Sequence, residues 1–110
     1  MIEITATNVG GGNLLLNLVG TLDMTTAPRL RDEITAAVGR GENHVALGMG
    51  EVDFMDSTGL GAIIASLKTL RESGGDIRLV APSWQSMLVI KMTNMDRVFL
   101  IVDSVEEAFQ

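Results

Sequence analysis

Apolar and polar residues alternate along Ile2-Glu3-Ile4-Thr5, the period of a strand with one wet face. Gly10-Gly11-Gly12-Asn13 predicts a turn, and Leu14-Leu15-Leu16-Asn17-Leu18-Val19 a largely buried strand that ends at Gly20. Leu30, Ile34 and Val38 then recur at i, i+4 and i+8, the spacing of one helix face. Thr25 or Thr26 can cap that helix, Pro28 is tolerated in its first turn, and Gly39 and Gly41 stop it. A third strand is read at His44-Val45-Ala46-Leu47-Gly48-Met49. A second helix carries Leu60, Ile63, Ile64, Leu67 and Leu70 and stops at Glu72-Ser73-Gly74-Gly75. Ile77-Arg78-Leu79-Val80 is a short strand. Pro82-Ser83 opens a helix with Met87, Ile90 and Lys91 or Met92 spaced to pack, closed by Thr93-Asn94. Phe99-Leu100-Ile101-Val102 is the last strand, and Ser104 with Glu107 forms a capping-box pattern before a final helix. Ala108 and Phe109 can fold back onto the core.

The order β-β-α-β-α-β-α-β-α predicts an α/β fold, a mostly parallel mixed sheet of about five strands with about four helices. No linker, repeat or low-complexity segment divides the chain, so residues 1–110 read as one domain. Open sheets of this kind place their sites where strands turn into helices. Asp23, Gly48 and Ser57 all fall near predicted strand ends and are expected to share that rim.

Composition narrows the function. The net charge is −6 with no block of like charge, which disfavours a nucleic-acid or anionic-membrane partner. There is no cysteine, so disulfides, thiolate chemistry and cysteine–zinc sites are excluded. No secretory pattern is visible near Met1, and no apolar run approaches the roughly 20 residues that span a bilayer. A cytoplasmic location is expected.

Asp56-Ser57-Thr58-Gly59 combines helix-capping residue types with a flexible residue, immediately before an apolar helix pattern. Ser57 is therefore expected at or beside a helix start. The unpaired N–H groups and the dipole of such a start favour negative charge, which suits a serine that receives a phosphate. The same four residues also serve as a plain cap and turn, and the residues alone leave both readings open.

Other chemistry finds less support. Gly10-Gly11-Gly12 lacks the Gly-Lys-Ser/Thr of a phosphate loop, and no helix pattern opens there. A serine hydrolase would need Gly-x-Ser-x-Gly and a late histidine; Met55 stands in place of the first glycine, and His44 comes early. Thr58 separates Ser57 from Gly59, which breaks the Asp-Thr/Ser-Gly turn of aspartic proteases. His44, the only histidine, reads as structural, and metal ligands at usable spacing are absent. No catalytic residue, metal or cofactor is expected, and the chain reads as a binding module. A small hydrolase using Ser57 is the remote alternative.

Longer blocks carry a family resemblance. Gly20-x-Leu22-Asp23-x-x-Thr26-Ala27-Pro28-x-Leu30-Arg31 resembles the opening of the STAS domain (sulfate transporter and anti-sigma factor antagonist). Val52-x-Phe54-Met55-Asp56-Ser57-x-Gly59-Leu60-Gly61 is similar to its signature. Gly74-Gly75-x-x-x-Arg78-Leu79-Val80, Asp96-Arg97-Val98-Phe99 and Asp103-Ser104-x-Glu106-Glu107-Ala108 continue the match over nearly the whole chain. Among stand-alone STAS domains the chain resembles the bacterial anti-anti-sigma factors. The resemblance implies a partner-switching phosphoprotein in transcription regulation. Such a protein binds an anti-sigma factor that is also a serine kinase, is phosphorylated at the position of Ser57 and released, and is restored by a metal-dependent PP2C-type phosphatase. It further implies that Asp23, Thr26, Gly48, Asp56, Thr58, Gly59 and Leu60 form the partner-binding surface and the surroundings of the phosphosite. Thr58 remains a second candidate acceptor. Gly59 and Gly61 would keep the first helical turn slim for a partner's approach. Gly48 departs from the family's Asp or Asn near the serine, so restoring Asp there is expected to speed phosphorylation. The alternative is a STAS interaction subunit of another signalling, secretion-control or lipid-transport assembly. A weak homodimer is left open.

Overall fold

The computed structural model describes residues 1–110. Two long strands open the chain, β1 (Ile2–Gly10) and β2 (Asn13–Leu22), followed by helix α1 (Ala27–Gly39) and strand β3 (His44–Met55). Helix α2 (Ser57–Glu72), strand β4 (Asp76–Val80) and helix α3 (Trp84–Met92) come next. A 3-10 turn at Met95–Arg97, strand β5 (Leu100–Val102) and the short helix α4 (Val105–Ala108) complete it. The sheet runs β1-β2-β3-β4-β5, with β1 antiparallel to β2 and every other pair parallel. Five strands and four helices agree with the sequence reading.

Alternation along the strands divides the core between the two faces of the sheet. Leu14, Leu16, Leu18, Val45, Leu47, Met49 and Leu79 join Leu30, Ile34, Ile63, Leu67, Leu70 and Ile90 from the helices in one cluster. Ala46 and Val80 point the other way and meet Ala108, with Leu15, Val102 and Phe109 packed around them. Ala108 and Phe109 do fold back as expected, but onto the face opposite α1 and α2.

The chief departure from the sequence reading is the length of β3. It was expected to end at Met49, and it continues to Met55 because β2 goes on pairing with it, out to Leu22 opposite Met55. Two register shifts, between Asn17 and Val19 and between Gly20 and Thr21, let the longer β3 segment keep step with β2. On its other side β3 loses β4 after Gly48, which pairs with Val80.

Candidate functional site

The rim is built where β2 and β3 finish side by side. The Asp56 N–H donates to the Leu22 carbonyl (3.4 Å), which brings the β2–α1 loop against the start of α2. Asp56 has extended backbone angles, and its carboxylate accepts from the Gly59 N–H (2.9 Å), a side-chain cap on α2. Ser57 is the first residue of this 16-residue helix and is exposed, as is Thr58. Neither the Ser57 nor the Thr58 N–H has a partner four residues back inside the helix, so both are free to receive an anion.

Gly59 faces inward. A Cβ there would lie 2.2 Å from the Leu22 carbonyl oxygen. Glycine is needed so that α2 can approach β2, which corrects the expectation that it slims the turn for a partner; only Gly61 is exposed. Leu60 is also buried, at 3% exposure, because its side chain enters the core. It supports the rim and cannot touch a partner.

Asp23 begins the opposite lip. Its carboxylate accepts from the Thr25 hydroxyl (2.6 Å) and the Thr25 N–H (2.9 Å). These bonds, the hydroxyl first, hold its pKa below the ordinary value. Thr26 occupies the cap position of α1 without a side-chain bond into that helix. Its buried hydroxyl donates to the Thr21 carbonyl (2.8 Å) and accepts from the Asp23 N–H (3.0 Å), which closes the loop on itself. Asp53 adds a third carboxylate near the end of β3, accepting from the Thr21 hydroxyl (3.0 Å). A shallow groove of about 410 Å3 between α1 and the start of α2 is lined by Met24, Pro28, Arg31, Asp32 and Thr58. Arg31 is the only cation lining it.

Gly48 is not at this rim. Its β2 partner Asn17 is five residues before Leu22, so about 16 Å of strand separates Gly48 from the level of Met55. Its neighbours Leu47 and Met49 enter the core under α1 and α2, so a side chain at 48 would leave on the other face. The expectation assumed a strand that ended at Met49. Gln85 was not singled out from the sequence. Its side-chain oxygen accepts from the Met55 N–H (2.7 Å) and its amide donates to the Met55 carbonyl (2.8 Å). It replaces the strand neighbour that β3 lacks beyond β4, and it ties α3 to the chain just before Ser57. No local periodicity marks such a contact.

A family model described as the STAS domain matches residues 5–108. The chain belongs to the STAS domain family. Among curated proteins this STAS domain is 37% identical over 71 residues to a protein of Thermotoga maritima provisionally named an anti-sigma factor antagonist. The match covers 64% of this chain and 63% of that relative, slightly under two thirds of its length. It is 28% identical over 94 residues to the anti-sigma F factor antagonist of Paenibacillus polymyxa, covering 84% of this chain and 80% of the relative. Among solved structures, a crystal structure of an anti-sigma factor antagonist from Mycobacterium paratuberculosis superposes with a TM-score of 0.85 at 25% identity, over 99% of this chain and 92% of that one. No helix of this STAS domain is long and apolar enough to cross a membrane.

Proposed function

We propose that this STAS domain is a cytoplasmic anti-sigma factor antagonist, a binding protein and not an enzyme, switched by phosphorylation of Ser57. The observation that carries the reading is Ser57 itself, an exposed hydroxyl on the first residue of a long capped helix. The family and the names of the relatives supply the biological context. Unphosphorylated, the rim of Asp23, Met24, Ser57 and Thr58 receives an anti-sigma factor that is also a serine kinase. Transfer places roughly −1.5 to −2 charge on Ser57. Within this chain the free N–H groups of α2 can hold that charge. A partner packed over the rim would have to desolvate it beside Asp23, Asp53 and Asp56, and binding weakens. No refolding is required, because charge and steric bulk act at the contact itself. A PP2C-type phosphatase restores the free hydroxyl.

The test uses the purified chain, Mg-ATP and candidate anti-sigma factor kinases from the same genome. Ser57→Ala is expected to fold and bind but accept no phosphate, and Ser57→Asp to bind more weakly than wild type. Phosphate found on Thr58 or elsewhere in Ser57→Ala by mass spectrometry overturns the site. A kinase that binds Ser57→Asp as tightly as wild type overturns the switch.

A further inference from the structure

Ten large hydrophobic side chains are exposed, and five of them, Trp84, Leu88, Met92, Val98 and Leu100, belong to the segment from α3 to β5. Trp84, Leu88 and Met92 recur at i, i+4 and i+8, so they form one ridge along α3, about 12 Å long. Trp84 is 78% exposed and Met92 81%, values that leave most of both side chains in water. Leu88 between them is 40% exposed. Ile90 is buried on the opposite side and anchors the helix to the core. The Gln85–Met55 bonds fix its first turn, so the ridge is held ready rather than formed on contact.

We propose that α3 is a self-association face, and that its occupant is α3 of a second copy of this chain. Two observations select a second copy. The ridge is self-complementary: with Leu88 on a two-fold axis and the helices antiparallel, Trp84 of each copy meets Met92 of the other, a sulfur–aromatic pairing. A ridge of i±4n residues packs against its equal at about −50°, the commonest helix crossing. The charge pattern agrees. The chain carries a net −6, which opposes contact between copies over most of its surface, yet α3 has no acidic residue and one cation, Lys91. The size of the face then sets the strength. A buried aromatic contributes on the order of 150–250 Å2, so three side chains per copy reach only the low end of interfaces, below roughly 1,200 Å2 in total. The dimer is therefore weak and concentration-dependent. It is independent of the Ser57 reading, because it asks nothing of the rim.

Trp84 is the only tryptophan, so its emission reports this contact alone. Sedimentation velocity and Trp84 fluorescence are followed from about 5 µM to about 1 mM. The expected result is a mass rising towards twice the monomer, with emission shifting to the blue over the same range. Leu88→Glu sets two carboxylates face to face on the axis, and Met92→Glu sets a carboxylate against the negative ring face of Trp84 of the second copy. Each is expected to raise the half-association concentration at least about tenfold. Because Met92 lies almost wholly in water, Met92→Glu keeps the fold even where Leu88→Glu does not, and circular dichroism checks both. A monomer throughout the range overturns the proposal. So does a dimer that persists in folded Met92→Glu with Trp84 still exposed, which would move the contact elsewhere, such as the open β1 edge.

Discussion

Gly59→Ala tests the central claim about the rim, that α2 starts where it does because no side chain stands between it and β2. An added Cβ would sit 2.2 Å from the Leu22 oxygen, 2.9 Å from its carbonyl carbon and 3.0 Å from its Cγ. Ordinary C···O contacts begin near 3.3 Å, so the first turn must retreat by about 1 Å. The obstacle is mostly backbone and cannot swing aside. Overpacking of this kind costs about 1–3 kcal/mol. The same retreat breaks the Asp56 N–H bond to Leu22, already 3.4 Å long, and bends the Asp56 cap, together about 1 kcal/mol more. Alanine's better helix propensity returns up to about 1 kcal/mol. The net expectation is a loss of about 2 kcal/mol, or a fall in Tm of about 8 °C for a domain of this size. Gly61→Ala is the internal control. It lies two residues along the same helix with nothing within 4 Å of its added Cβ, and it should gain about 0.5–1 kcal/mol. Urea unfolding and calorimetry of the three proteins give the comparison. Equal stability of Gly59→Ala and wild type would refute the argument, and a loss in both variants would show that helix position, not contact with Leu22, governs the effect.

Gln85→Ala leaves both backbone groups of Met55 without their partner and should cost about 2 kcal/mol in urea unfolding, whereas a loss below about 0.5 kcal/mol would mean that water replaces the clamp freely. Asp23 has a lowered folded-state pKa, so its contribution to stability is present above the ordinary carboxylate range and is lost as pH falls through the folded value. In Thr25→Val the largest cause is gone, and an NMR titration of Asp23 should move back up towards the ordinary value; an unmoved titration would refute the assignment. Gly48→Asp should fold once Asn17, whose side-chain oxygen lies 2.4 Å from the added Cβ, rotates away. Its initial rate of Ser57 phosphorylation should stay within about twofold of wild type, because the side chain leaves mid-strand on the other face; a severalfold increase would restore the sequence-based expectation and refute the placement.

The local signals read from the chain were of two kinds, and both hold for most positions. Ile64 and Met92, read on packing faces, are exposed because α2 and α3 turn them away from the sheet. Thr26 uses its hydroxyl within the β2–α1 loop rather than in capping α1. Period-two and period-3.6 patterns record which side of a segment is wet, and they place all five strands and the four helices in order. Capping chemistry is equally local. Asp56 caps α2, Ser83 accepts from the Ser86 N–H, and Ser104 accepts from the Glu107 N–H, each within three residues in sequence. Ser57 at a helix start was legible for that reason. What the pattern could not carry was pairing between distant segments. β3 extends to Met55 only because β2 lies beside it, and this extension removes Gly48 from the rim. The inward direction of Gly59 follows from the Leu22 carbonyl, far away in sequence. Gln85 reaches Met55 across 30 residues. Glu42 is buried because Asn8, 34 residues away, and Arg40 both bond its carboxylate. Each depends on register and on backbone groups left without a strand partner. Those are properties of the assembled sheet, so the sequence determined the elements and their caps, while tertiary structure decided which side chains the rim and its supports would use.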